Sequence, residues 1–139
     1  MRNIKIRSEE ETREFGLALG KALKPGQIVA LIGNLGTGKT TLTKYIAQGM
    51  GISELITSPT FNIVQEYHDG RLPLYHFDTY RIDDVEEMFE IGYEEYFFGQ
   101  GVCIIEWADQ IEEIIPAEAW TIYLDYGKEE GGRIYKCTF

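Results

Sequence analysis

The sequence predicts an α/β fold of three layers, with a mixed, largely parallel central sheet and a C-terminal antiparallel strand pair. Three observations predict it. Gln27–Ile32 and Val102–Ile105 are short, almost wholly apolar runs, the mark of strands buried on both faces. In the first half of the chain strands and helices alternate, which builds parallel sheets. In the second half strands accumulate, with Trp120–Asp125 and Arg133–Thr138 forming a last antiparallel pair around Gly131-Gly132.

The elements follow in order. Asn3–Arg7 alternates apolar and charged residues, as a short edge strand does. Ser8 with Glu11 is a capping-box pattern that opens a helix. Phe15, Ala18, Leu19, Ala22 and Leu23 then recur at helical spacing as one buried stripe, and Pro25-Gly26 ends it. A glycine-rich segment follows the strand at Gln27–Ile32. After it comes a second helical stripe, Leu42, Tyr45 and Ile46, stopped near Gly49 and Gly51. Asn62–His68 and Pro73–Thr79 read as two strands joined at Asp69-Gly70. Val85, Met88 and Phe89 suggest a short helix from about Asp83, and Tyr93, Tyr96, Phe97 and Phe98 read most simply as core around a short helix, the alternative being that part of the cluster faces a partner.

The 139 residues suit a single domain, 1–139, with no repeat, linker or low-complexity segment. The net charge of −10 is unevenly spread. Residues 83–127 hold thirteen acids and no Lys or Arg, whereas residues 1–82 hold ten bases against eight acids. So acidic a chain is not expected to bind nucleic acid on its own, since neutralising phosphates needs a basic surface. Cys103 and Cys137 stand far apart in apolar or alternating stretches, which favours free thiols in a reducing compartment over a disulfide or a metal site. His68 and His76 lack partners at ligand spacing, so a surface or packed role is expected of them. No stretch approaches the ~18 apolar residues of a membrane span, and a cytoplasmic location is expected.

The chemistry lies in Gly33-Asn34-Leu35-Gly36-Thr37-Gly38-Lys39-Thr40, which fits G-x-x-x-x-G-K-[ST] at every fixed position. A buried strand precedes it and an amphipathic helix follows, so the expected fold is P-loop NTPase-like. Glycines let successive N–H groups form a concave anion nest, and the helix start adds its positive dipole end. Leu35, Gly36, Thr37, Gly38, Lys39, Thr40 and Thr41 are therefore the candidate nucleotide-binding residues. Lys39 would reach β- and γ-phosphate oxygens, and the Thr40 hydroxyl would ligate Mg²⁺. A carboxylate must complete such a site. Glu106 follows the apolar run Val102–Ile105, and Asp78 ends another strand. Either would hold the metal, directly or through water, with the other orienting the attacking water. Thr60, in Ser58-Pro59-Thr60, lies where a γ-phosphate-sensing switch is expected.

Absences narrow the class. No N-K-x-D motif occurs, because Asn3, Asn34 and Asn62 precede Leu or Ile, and no D-x-x-G switch is present, against a small GTPase. Six unclustered arginines disfavour a kinase lid. What remains is a nucleotide-binding module that hydrolyses ATP to drive or gate a partner. The alternatives are a stand-alone small-molecule phosphotransferase and a binding module without useful turnover.

GNLGTGKTTL, SPTFNIVQEY, YHFDTYRI and IIEWAD, in that order and spacing, resemble the TsaE (YjeE) family of bacterial ATPases along essentially the whole chain. The resemblance implies an ATPase required for threonylcarbamoyladenosine at position 37 of tRNAs, using ATP and Mg²⁺. It implies a partner, the TsaD–TsaB complex, whose cycling the protein supports without transferring the threonylcarbamoyl group. It also implies that Lys39, Thr40 and Thr41 hold ATP and magnesium, that Thr60 belongs to a switch-like segment, and that Asp78 and Glu106 are the active-site acids. One departure is that the sequence ends at Phe139, where some relatives carry a further tail.

Overall fold

The computed structural model describes residues 1–59 and 62–139. Strand β1 (Arg2–Ile6) leads into helix α1 (Glu9–Ala22), and β2 (Ile28–Ile32) into α2 (Lys39–Gly49). Then come β3 (Val64–Tyr67), β4 (Leu74–Asp78), the short helices α3 (Glu86–Glu90) and α4 (Tyr93–Phe97), and β5 (Val102–Glu106). A 3-10 segment over Ala108–Ile114 precedes β6 (Trp120–Tyr126) and β7 (Arg133–Cys137).

The strands form one sheet in the order β1-β7-β6-β2-β5-β4-β3. Its four middle strands, β6, β2, β5 and β4, run parallel, and the pairings outside them are antiparallel. The expected strand pair β6–β7 is present, and β1 is an edge. Alternation along β2 explains the layers. Val29 and Leu31 face α1 and α2, where Leu19, Leu42 and Ile46 are buried. Ile28 and Ala30 face the other way, onto Met88, Phe97 and Ile111 of the short helices and the 3-10 segment.

Helix α1 starts as its sequence predicts, with the Ser8 hydroxyl accepting from the Glu11 N–H at 3.2 Å. Its buried face is another matter. Ala18 and Ala22 are exposed, and the inward positions are Thr12, Gly16, Leu19, Gly20 and Leu23. The reason is close approach to α2. A Cβ on Gly20 would lie 2.1 Å from the Ile46 carbonyl oxygen, and one on Gly49 would lie 2.4 Å from that of Leu17. Glycines at the crossing bring the backbones together, and that turns the alanines outward. Arg71 closes the far end of α1, donating to the carbonyls of Gly20, Lys21 and Leu23.

A second correction concerns the aromatic cluster. Tyr93 and Phe97 are core, but Phe98 is 67% exposed and Phe89 51%. Cys103 and Cys137 are buried free thiols, and burial pushes the Cys103 thiol up to about 12, far from a reactive thiolate. No described helix is long and apolar enough to cross a membrane.

Candidate functional site

The site forms where the parallel strands end. Between β2 and α2 the chain turns through Gly36 at φ +82° and Gly38 at φ +95°, left-handed values that a Cβ would strain. A cleft of about 410 Å³ opens there, lined among others by Gly36, Lys39, Thr40, Asp78, Glu106 and Trp107. Leu35, Gly38 and Thr41 also line it, while Thr37 is buried within the loop. The sequence-predicted residues of the glycine loop and the two acids therefore meet in one place. Thr60 lies outside the described residues, but its neighbour Ser58 reaches the cleft.

Register brings the carboxylates together. Asp78 and Glu106 are Cα partners at the ends of the parallel strands β4 and β5. Period-two alternation places His76 and Asp78 on one face of β4, and Ile104 and Glu106 on the same face of β5. That is the α2 side. Glu106 is 2% exposed and accepts from the Thr40 hydroxyl at 2.8 Å. His76, opposite Ile104 and so diagonal to Glu106, donates from Nε2 to Glu106 Oε2 at 2.5 Å. Asp78 accepts from the Ser58 hydroxyl at 2.8 Å and from the Tyr80 N–H at 3.0 Å.

Lys39 is buried with its ammonium donating to the carbonyls of Gly33 at 2.6 Å and Asn34 at 2.9 Å. Burial lowers its pKa, and the nearby carboxylates of Glu106, Asp78 and Asp109 oppose that. The ammonium also sits 4.0 Å from the centroid of the Trp107 ring. Trp107 adopts φ +59°, a conformation costly for a residue with a Cβ. It is held there by the Thr79 hydroxyl donating to its carbonyl at 2.7 Å and by the Tyr80 ring at 4.7 Å.

Sequence reasoning missed three members of this neighbourhood. His76 reads as unremarkable because its partner is thirty residues away. Tyr126 and Arg133 look like ordinary strand residues, yet the Tyr126 hydroxyl donates to the Leu35 carbonyl, and Arg133 donates to those of Gly36 and Thr37. The only signal for His76 is its place two residues before an acid at a strand end, the same parity that points Asp78 into the site.

A glycine loop between a central parallel strand and a helix, with two carboxylates on adjoining strand ends, defines a P-loop NTPase-like protein. The family model described as "Threonylcarbamoyl adenosine biosynthesis protein TsaE" matches residues 6–134. The tRNA threonylcarbamoyladenosine biosynthesis protein TsaE of Bacillus subtilis is 48% identical over 126 residues, 89% of this chain and 78% of the relative. The protein of the same name from Treponema pallidum is 45% identical over 118 residues, 85% of this chain and 87% of that one. The crystal structure of Bacillus subtilis YdiB superimposes with a TM-score of 0.83 at 40% identity, over 96% of this chain and 82% of that one. The chain belongs to the TsaE family.

Proposed function

We propose that the protein is a magnesium-dependent ATPase of the cytoplasmic machinery that makes threonylcarbamoyladenosine at tRNA position 37, acting on a TsaD–TsaB complex. Membership of the family supports the pathway. One observation carries the ATPase reading: the Thr40 hydroxyl, at the start of α2, is hydrogen-bonded to the buried Glu106 in the cleft that Lys39 and Asp78 share.

The donors suit a hard cation, since hydroxyl and carboxylate oxygens are what Mg²⁺ prefers. Among the described residues no group of three His, Cys, Asp or Glu lies close enough to hold a metal unaided, so nucleotide oxygens and water would complete the shell. Thr40 would be a ligand, with Glu106 beside it directly or through water. When bound, Mg²⁺ neutralises charge developing on the β- and γ-phosphate oxygens. From its place beside the Gly33 and Asn34 carbonyls, the Lys39 ammonium would reach those oxygens. Asp78, tied to Ser58 and the Tyr80 N–H, is set to orient the attacking water and to sense the segment that leads to Thr60. The amides of the loop and of the α2 N-terminus bind the phosphates.

The test uses cells carrying Lys39→Ala at wild-type abundance. They should lose most of the tRNA modification, and the purified variant should lose ATP hydrolysis. Normal modification in those cells would remove ATP handling from the proposal. A pull-down from extract with and without ATP·Mg²⁺ should recover TsaD and TsaB, and recovery of neither would remove the partner.

A further inference from the structure

The loop's own carbonyls raise an accounting question, because an anion nest needs its N–H groups turned inward and therefore its carbonyls satisfied elsewhere. The Lys39 ammonium takes the carbonyls of Gly33 and Asn34, and the Thr37 hydroxyl also donates to Asn34, at 2.7 Å. The next three are taken by residues almost a hundred positions away. The Tyr126 hydroxyl donates to Leu35, and Arg133 donates from Nη2 to Gly36 at 3.2 Å and from Nε to Thr37 at 3.1 Å. Tyr126 and Arg133 are cross-strand partners at the end of the β6–β7 pair that the turn at residues 127–132 closes. The guanidinium lies 5.2 Å from the centroid of the tyrosine ring, so each braces the other.

From this geometry we infer that Tyr126 and Arg133 are positioning residues for phosphate binding: a clamp from the C-terminal strand pair that fixes the peptide planes of the glycine loop. All peptide bonds described are trans. In a trans peptide the N–H lies opposite the C=O. Holding the Leu35 and Thr37 carbonyls toward the strand pair therefore turns the Gly36 and Gly38 amides the other way, toward the cleft that both residues line. The Gly36 carbonyl is held as well, while the Thr37 amide is used within the loop, donating to Asn34. Gly36 and Gly38 are the two left-handed positions of this loop, and without the clamp their backbone would sample many states. The clamp removes that freedom before the ligand arrives, so less ordering entropy is lost on binding. The inference rests on reading the loop as a phosphate cradle.

The test compares the wild-type chain with Tyr126→Phe and Arg133→Lys. The first removes one hydroxyl, and the second keeps the positive charge but loses the fork. ADP and ATP·Mg²⁺ binding are measured by calorimetry, and amide exchange over residues 33–41 is measured without nucleotide. Each variant should bind about tenfold more weakly, the scale of one lost hydrogen bond. Exchange should accelerate in the loop and not in β2 or β5. An Arg133→Lys variant that binds like wild type would reduce the arginine to a charge effect, and unchanged exchange in both variants would overturn the clamp. A wild-type chain that binds no nucleotide would defeat the phosphate reading, while faster loop exchange in the variants would still support the clamp.

Discussion

Glu106 is the one acid of the thirteen in residues 83–127 that the fold buries, and its partners explain how the sheet tolerates it. Two hydroxyls reach it, that of Thr40 at 2.8 Å and that of Thr43 at 3.4 Å, together with the fully buried His76. A carboxylate only accepts hydrogen bonds, so His76 Nε2 carries the shared proton. Nδ1 is then the atom left without a partner among the described residues. Removing one member of a buried polar pair strands the other. His76→Ala should lower stability by about 3 kcal/mol in urea denaturation, and adding Glu106→Ala should restore part of that loss. A double variant as unstable as the sum of the singles would mean that the pair is not coupled. Little of this was legible in the sequence, where His76 carries no ligand spacing and only its parity with Asp78 points toward the site. By contrast, Lys39, Thr40, Asp78 and Glu106 were all visible, because each follows a local rule: a glycine loop, a helix start, or an acid after an apolar run. The contacts of Tyr126 and Arg133 with backbone carbonyls across ninety residues leave no local trace.

Among the elements, the strands were readable to within a residue or two, since apolar runs and alternation record burial directly. The face of α1 was not. Hydrophobicity counts Ala18 and Ala22 as core and ignores Gly16 and Gly20, yet the crossing with α2 is built on glycine. Gly20→Ala should therefore force the helices apart and cost about 3 kcal/mol, the upper range for overpacking. Ala18→Ser, on the exposed side, should stay within about 0.5 kcal/mol. Thermal melts of the two variants check both, and a Gly20→Ala melt matching wild type would show that the crossing relaxes freely. The 3-10 segment escaped prediction for a different reason: Ile111, at φ −128° and ψ 33°, interrupts it, so no helical period is sustained.

At the scale of the whole molecule, the charge has a geography. Apart from Glu106 on β5, the acids of residues 83–127 lie on α3, α4, the 3-10 segment, β6 and the loops between, and all of these but the half-buried Glu87 are exposed. Arg2, Lys5, Arg7, Arg133 and Lys136 belong instead to the pair β1–β7 and its flank. With a net charge of −10 the folded state repels itself, and salt should relieve that. Raising NaCl from about 0.02 to about 0.3 M, which shortens the screening length below ~10 Å, should raise Tm by about 2–4 °C. A Tm that falls would show that attractive pairs outweigh the repulsion.

The pairing of β1 with β7 also has a consequence for how the protein is made. The loop at residues 33–40 leaves the ribosome early, but the residues that take its carbonyls, Tyr126 and Arg133, follow it by more than eighty positions. At ~5–20 residues per second, a nascent chain spends several seconds with the glycine loop translated and its supports still missing. The sheet's first strand waits as long for its neighbour. The site thus matures only once β6 and β7 have emerged, and a product truncated before them would carry the whole glycine motif without the frame that holds its carbonyls.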